Sequence, residues 1–90
     1  MKLLFSDQAW ADYLYWFEHD KKTVERLHRI LEECRRHPFA GFGKPEPLKR
    51  NWSGWWSRRL TNGDRLIYRV TGSGENQIEV AQCRFHCGER

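Results

Sequence analysis

Apolar positions in the first forty residues recur with helical spacing, and those of the second half alternate as strands do. Lys2–Phe5 is a short apolar run, read as a first strand. Ser6 then offers a helix N-cap, with Asp7 in the first turn. Trp10, Tyr13, Leu14 and Phe17 follow at i, i+3, i+4 and i+7, so this stripe is the predicted buried face of the helix. Asp20 can cap a second helix, whose stripe is Val24, Leu27, Ile30, Leu31 and Cys34, with charged residues largely around the rest. His37-Pro38 ends it, because the residue before proline is pushed out of the α region.

Phe39 to Pro47 reads as a Gly- and Pro-rich loop. At its end, Pro45-Glu46-Pro47 predicts a stiff mount for one carboxylate, with Lys44 and Glu46 held extended. Beyond Leu48 the pattern is that of strands. Trp55–Leu60 is one, followed by a turn at Thr61–Asp64 containing Asn62-Gly63. Arg65–Val70 places Leu66, Tyr68 and Val70 on one face and Arg65, Ile67 and Arg69 on the other. A second turn spans Thr71–Asn76, and Gln77–His86 is the last strand, with Arg84 and His86 on a common face. The order β-α-α-β-β-β predicts one α+β domain over residues 1–90. It is a small antiparallel sheet with an N-terminal two-helix hairpin on one face and arginines on the open face.

Ninety residues allow one core, and five Trp, five Phe and three Tyr are enough to fill it. No apolar run approaches the roughly 20 residues of a membrane span. Asp7 and Asp12 interrupt the opening before a signal-peptide core could form. A cytoplasmic protein is expected. Three cysteines are an odd number and suit a reducing compartment, with Cys34 and Cys83 read as small buried hydrophobes. Cys83, His86 and Cys87 do not read as a metal site. In a strand, positions 83 and 86 point to opposite faces, and no second ligand pair exists. Neither metal nor cofactor is expected.

Charge placement narrows the picture further. Lys44, Lys49, Arg50, Arg58, Arg59, Arg65 and Arg69 stand against Glu46 and Asp64, so this stretch carries +5 in a chain of net +4. Concentrated positive charge attracts polyanions. On period-2 geometry Ser57 and Arg59 share the open face with Arg65 across the hairpin. Glu46, Lys49 and His86 add a possible base, a further cation and a possible acid. Metal-free RNA cleavage needs those parts: a base for the 2′-OH, cations for the phosphoryl oxygens and an acid for the departing 5′-oxygen. Trp52, Trp55 and Trp56 are either base-stacking platforms or core.

Several stretches together resemble the YoeB-type toxins of the RelE/ParE superfamily. They are Met1-Lys2-Leu3 through Trp10, Asp12–Trp16, Gly43–Lys49, Ser53-Gly54, Trp56–Arg59, Arg65-Leu66, Tyr68, Cys83-Arg84 and His86. The resemblance implies a RelE-like fold and a toxin that enters the ribosomal A site, against ribosomal RNA, and cleaves the mRNA there. It assigns Glu46 as general base, Arg65 as the transition-state arginine and His86 as the C-terminal histidine, with Lys49 and Arg59 as further active-site cations. It also implies a YefM-like antitoxin whose disordered tail folds over the toxin, and a possible homodimer. The chain departs from the family's usual His-Tyr ending. Phe85 stands where Tyr is common, and Cys87 follows His86, which puts any contribution of a terminal tyrosine in doubt. Two alternatives stay open: a ParE-like binding toxin acting on gyrase, and a weakened toxin that retains only its antitoxin.

Overall fold

Ser6 and Asp20 start the two helices. Ser6 Oγ accepts the Ala9 N–H at 3.0 Å, and Asp20 Oδ1 accepts the Thr23 N–H at 3.2 Å. The helices they open, α1 (Asp7–His19) and α2 (Lys21–Arg36), are followed by the strands of a five-stranded sheet. Those strands are β2 (Glu46–Pro47), β3 (Trp56–Arg59), β4 (Arg65–Thr71) and β5 (Gln77–Gln82), joined by β1 (Lys2–Phe5) from the N-terminus. A 3-10 turn spans Arg50–Trp52. The computed structural model describes residues 1–72 and 76–86, so part of the second predicted turn lies outside the described residues.

The sheet runs in the order β1-β5-β4-β3-β2. It is mixed, which corrects the all-antiparallel expectation: β1 pairs with β5 in parallel, Leu3 against Ile78 and Phe5 against Val80. Hairpin turns dictate antiparallel pairing only for neighbours in the chain. The helical pair lies between β1 and the meander and carries the chain back, so the first strand enters at the far edge in the other sense. Ser6 extends that seam, donating its N–H to the Val80 carbonyl at 2.9 Å and its hydroxyl to the Ala81 carbonyl at 2.7 Å.

The second helix packs as predicted, burying Val24, Leu27, Ile30, Leu31 and Cys34. The first does not. Its buried positions are Ala9, Asp12 and Trp16, while Trp10, Leu14 and Phe17 remain 53%, 40% and 58% exposed. The helix is rotated by roughly one residue, about 100°, from the apolar stripe. Backbone polarity explains the choice. Asp12 accepts the Cys83 N–H at 3.0 Å and the Trp16 indole donates to the Cys83 carbonyl at 2.8 Å, satisfying a buried peptide just past β5. An unpaired buried peptide group costs more than an exposed aromatic ring.

The core lies between the helices and one sheet face, where Leu66, Tyr68, Ile78 and Val80 are fully buried. Burial pushes the Cys34 thiol up to about 11, although Arg58 opposes it. Burial likewise pushes the Tyr68 phenol up to about 12, against the Arg58 hydrogen bond. Among the described residues no helix is long and apolar enough to cross a membrane.

Candidate active site

Strand register sorts the candidate residues onto one face. Glu46 stands opposite Ser57 in the β2–β3 pair, Ser57 opposite Ile67 and Arg59 opposite Arg65 in the β3–β4 pair. Directly paired residues point the same way, so Glu46, Ser57, Arg59 and Arg65 share the face turned away from the helices. Glu46 and Arg65 are separated by two strand spacings of about 4.8 Å and by two residues along the strand, about 12 Å between their backbones. Long side chains on that footing can meet around one phosphate. The Arg65 guanidinium reaches back over β3 toward the Ser57 hydroxyl, a long contact of 3.5 Å. Arg59 and Glu46 are exposed.

The carboxylate's mount is more elaborate than a proline-stiffened loop. Residues 46–47 form a short strand rather than the end of a loop. Lys44 is not extended as its place before proline predicts; its φ is 51°. The chain reverses there because the Gly43 carbonyl accepts the Arg59 N–H at 2.7 Å, with Gly43 itself at φ 88°. A Cβ on Gly43 would sit 3.2 Å from the Arg58 Cβ and 3.3 Å from the Arg59 carbonyl, besides adopting an unfavourable φ.

Arg58 corrects the reading of the basic stretch. It faces the core, is fully buried, and donates to the carbonyls of Phe42 and Ala40 (both 2.9 Å) and of His37, as well as to the Tyr68 hydroxyl (3.1 Å). Tyr68 in turn donates to the Pro38 carbonyl at 2.6 Å. The guanidinium is spent on the loop that leads to Glu46 and is closed to any polyanion. Arg69 is also engaged, bridging Glu79 at 3.1 Å and lying 4.4 Å from the Trp55 ring centroid. Trp56 packs against the core and Phe39, whereas Trp52 and Trp55 are half-buried and meet edge to face.

His86 does not extend a strand as predicted. The last strand stops at Gln82, and a bulge breaks the β4–β5 register between Ile67 and Tyr68. Tyr68 pairs with Val80 but Ile67 pairs with Gln82, so the extra residue turns Gln82 onto the face that carries Arg65. Cys83 is then buried in the core, and residues 84–86 bend back. The Arg65 N–H donates to the Phe85 carbonyl at 3.0 Å, which sets the chain end beside the start of β4. His86 is exposed at that position.

Lys49 is exposed just before the 3-10 turn, two residues past β2. Cys87 lies outside the described residues. Among the described residues no group of three or more His, Cys, Asp or Glu could hold a metal ion. The loop clamp of Arg58 and the bond from the Phe85 N–H to Asp64 had no signal in the sequence, because each joins residues 16 to 21 positions apart.

A family model described as the YoeB-like toxin of bacterial type II toxin–antitoxin systems matches residues 5–87. The chain belongs to that family. A toxin YoeB of Escherichia coli O6:H1 is 51% identical over 86 residues, 96% of this chain and 99% of the relative. The solved YoeB/ParE toxin of Agrobacterium tumefaciens is 49% identical, with a TM-score of 0.93, covering 97% of this chain and all of the other. A YoeB of Staphylococcus aureus, solved in a heterotetrameric complex with YefM, is 39% identical with a TM-score of 0.85 over 97% of this chain and 98% of that one. As a YoeB-family toxin, the chain keeps the RelE-like architecture of a two-helix layer on one sheet face, and among the described residues no α-helix covers the opposite face.

Proposed function

We propose that this YoeB-family toxin is a ribosome-dependent mRNA endonuclease of the cytoplasm that cuts RNA in the ribosomal A site by acid–base chemistry of its own side chains. One observation carries the reading: strand register gathers Glu46, Arg59 and Arg65 on the helix-free face, and the chain end brings His86 beside Arg65.

In this mechanism Glu46 removes the proton from the 2′-hydroxyl. The freed O2′ forms a bond to the adjacent phosphorus while the P–O5′ bond breaks in line. Arg65, with Arg59 and Lys49, takes up the charge that builds on the non-bridging oxygens. His86, protonated, gives its proton to the departing O5′. The products are a 2′,3′-cyclic phosphate and a 5′-hydroxyl end. The proton taken at O2′ is matched by the one delivered at O5′. Acid–base help contributes roughly 10²–10⁴-fold and one well-placed charge donor roughly 10²–10³-fold.

The same cationic face suits a disordered acidic segment that orders on binding, and a YefM-like antitoxin would mask the site by occupying it. A Staphylococcus aureus relative solved as a dimer supports self-association as well. Primer extension on mRNA with and without ribosomes, using wild type, Glu46→Gln, Arg65→Ala and Cys87→Tyr, tests the assignment. Cleavage at the A-site codon only with ribosomes, lost in Glu46→Gln and in Arg65→Ala, is expected. Undiminished cutting by a protein carrying both substitutions removes these roles. Inhibition of DNA supercoiling with mRNA left intact would favour the gyrase-directed alternative.

A further inference from the structure

We infer that Asp64 and Gln82 are positioning residues that fasten the chain end so that His86 is presented beside Arg65. The inference rests on the nuclease reading above and adds the device that places its acid.

Hydrogen bonds from Asp64, Arg65 and Gln82 tie down residues 84–86. Asp64 Oδ1 accepts the Phe85 N–H at 2.7 Å. The Arg65 N–H donates to the Phe85 carbonyl at 3.0 Å. The Gln82 side-chain amide donates to the Arg84 carbonyl at 3.2 Å and to the His86 carbonyl at 2.9 Å. Each anchor is itself constrained. Asp64 is held by the Thr61 hydroxyl at 2.5 Å, and its own carbonyl accepts the Leu60 and Thr61 N–H groups at 2.9 and 3.1 Å. Gln82 is 5% exposed, and the bulge has turned it onto the site's face.

The bend has a cost, since Phe85 adopts φ 65°, a left-handed conformation rare outside glycine. Strain of that kind persists where surrounding bonds over-determine it, and here a carboxylate and an amide from two different strand ends do so. Asp64 and Arg65 both grip Phe85, the neighbour of His86, and Arg65, which follows Asp64 in the chain, is the proposed phosphate cation. Asp64 therefore couples the histidine and the arginine through adjacent backbone, so that both move as one unit.

The test compares Asp64→Ala, Asp64→Asn, Gln82→Met and wild type. Two readouts are taken: amide hydrogen exchange at Phe85 and Arg65, and steady-state cleavage of mRNA across concentrations of the ribosome–mRNA complex. Asp64→Ala and Gln82→Met should speed exchange about fivefold or more. They should also lower kcat about 10- to 100-fold with KM changed less than about twofold. Asp64→Asn keeps the accepting Oδ1 and should restore both. Unchanged exchange in Asp64→Ala and Gln82→Met overturns the anchoring. Faster exchange with undiminished kcat overturns the positioning role while leaving the nuclease reading intact. Should His86→Ala cut as well as wild type, the role of His86 falls and the positioning role with it, whereas the exchange data still decide whether the chain end is anchored.

Discussion

Arg59 and Arg65 stand directly opposite one another across the β3–β4 pair. Like charges so placed destabilise a sheet by roughly 0.2–1 kcal/mol relative to a neutral pair. The arrangement makes sense if an anion fills the space between them. Arg59→Gln is therefore expected to raise the denaturant midpoint slightly and to weaken substrate binding, with a smaller salt dependence of KM. Equilibrium urea unfolding and cleavage kinetics at several salt concentrations check this. A variant that is neither more stable nor weaker in KM would remove Arg59 from the phosphate contacts.

The loop ahead of Glu46 hangs on Arg58, whose donors are spent on three backbone carbonyls and a phenol. Arg58→Met keeps most of the bulk but leaves those carbonyls unpaired, each orphan costing roughly 1–3 kcal/mol. A loss of about 3 kcal/mol or more is expected in urea unfolding, a size reserved for broken buried networks. Arg58→Lys should recover only part of it, because an ammonium cannot fork to the same set of acceptors. Stability within about 0.5 kcal/mol of wild type would mean that the clamp contributes little.

Two buried acids contribute to a loss of stability at alkaline pH. The Cys34 thiol is raised from 9.0 to about 11 and the Tyr68 phenol from 10.0 to about 12, both through burial. Between the unfolded and folded values the native state holds protons that the unfolded chain has released, so stability falls as pH rises. Their contribution is fully present below pH 9, shrinks from there, and is gone above pH 12. Urea unfolding followed from pH 8.5 to 11.5 should show that decline. Tyr68→Phe should be less stable at pH 8, since Arg58 Nε and the Pro38 carbonyl lose a partner, yet its curve should be flatter above pH 10. An equally steep curve in the variant would contradict the assignment.

Much of the fold was legible in the sequence for local reasons. Ser6, Asp20 and the Asn62-Gly63 turn act through neighbours within a few residues, and α2 buries the stripe its spacing predicts. The face of α1 was not legible, because a peptide group at Cys83, 71 residues from Asp12, decided it. The direction of β1 escaped for the same reason: its partner is the last strand. At the site, Ser57, Arg59 and Arg65 could be placed by counting residues along strands and across a hairpin, whereas nothing in Pro45-Glu46-Pro47 announces a strand that sets Glu46 opposite Ser57. Nor could His86 be placed. A bulge between Ile67 and Tyr68 cancels the alternation on which such counting depends. Arg58 looked like one more surface cation, yet odd and even positions of one short strand separate it from Arg59 into the core.

The direct test is chemical. An mRNA carrying a single 2′-deoxynucleotide on the 5′ side of the scissile phosphate, programmed into ribosomes, removes the nucleophile and little else. The expected result is full resistance at that position, beside all-ribose mRNA cut to a 2′,3′-cyclic phosphate and a 5′-hydroxyl. Cleavage of the deoxy-substituted message at a comparable rate would mean that water or another nucleophile attacks the phosphorus, and the role given to Glu46 would be wrong.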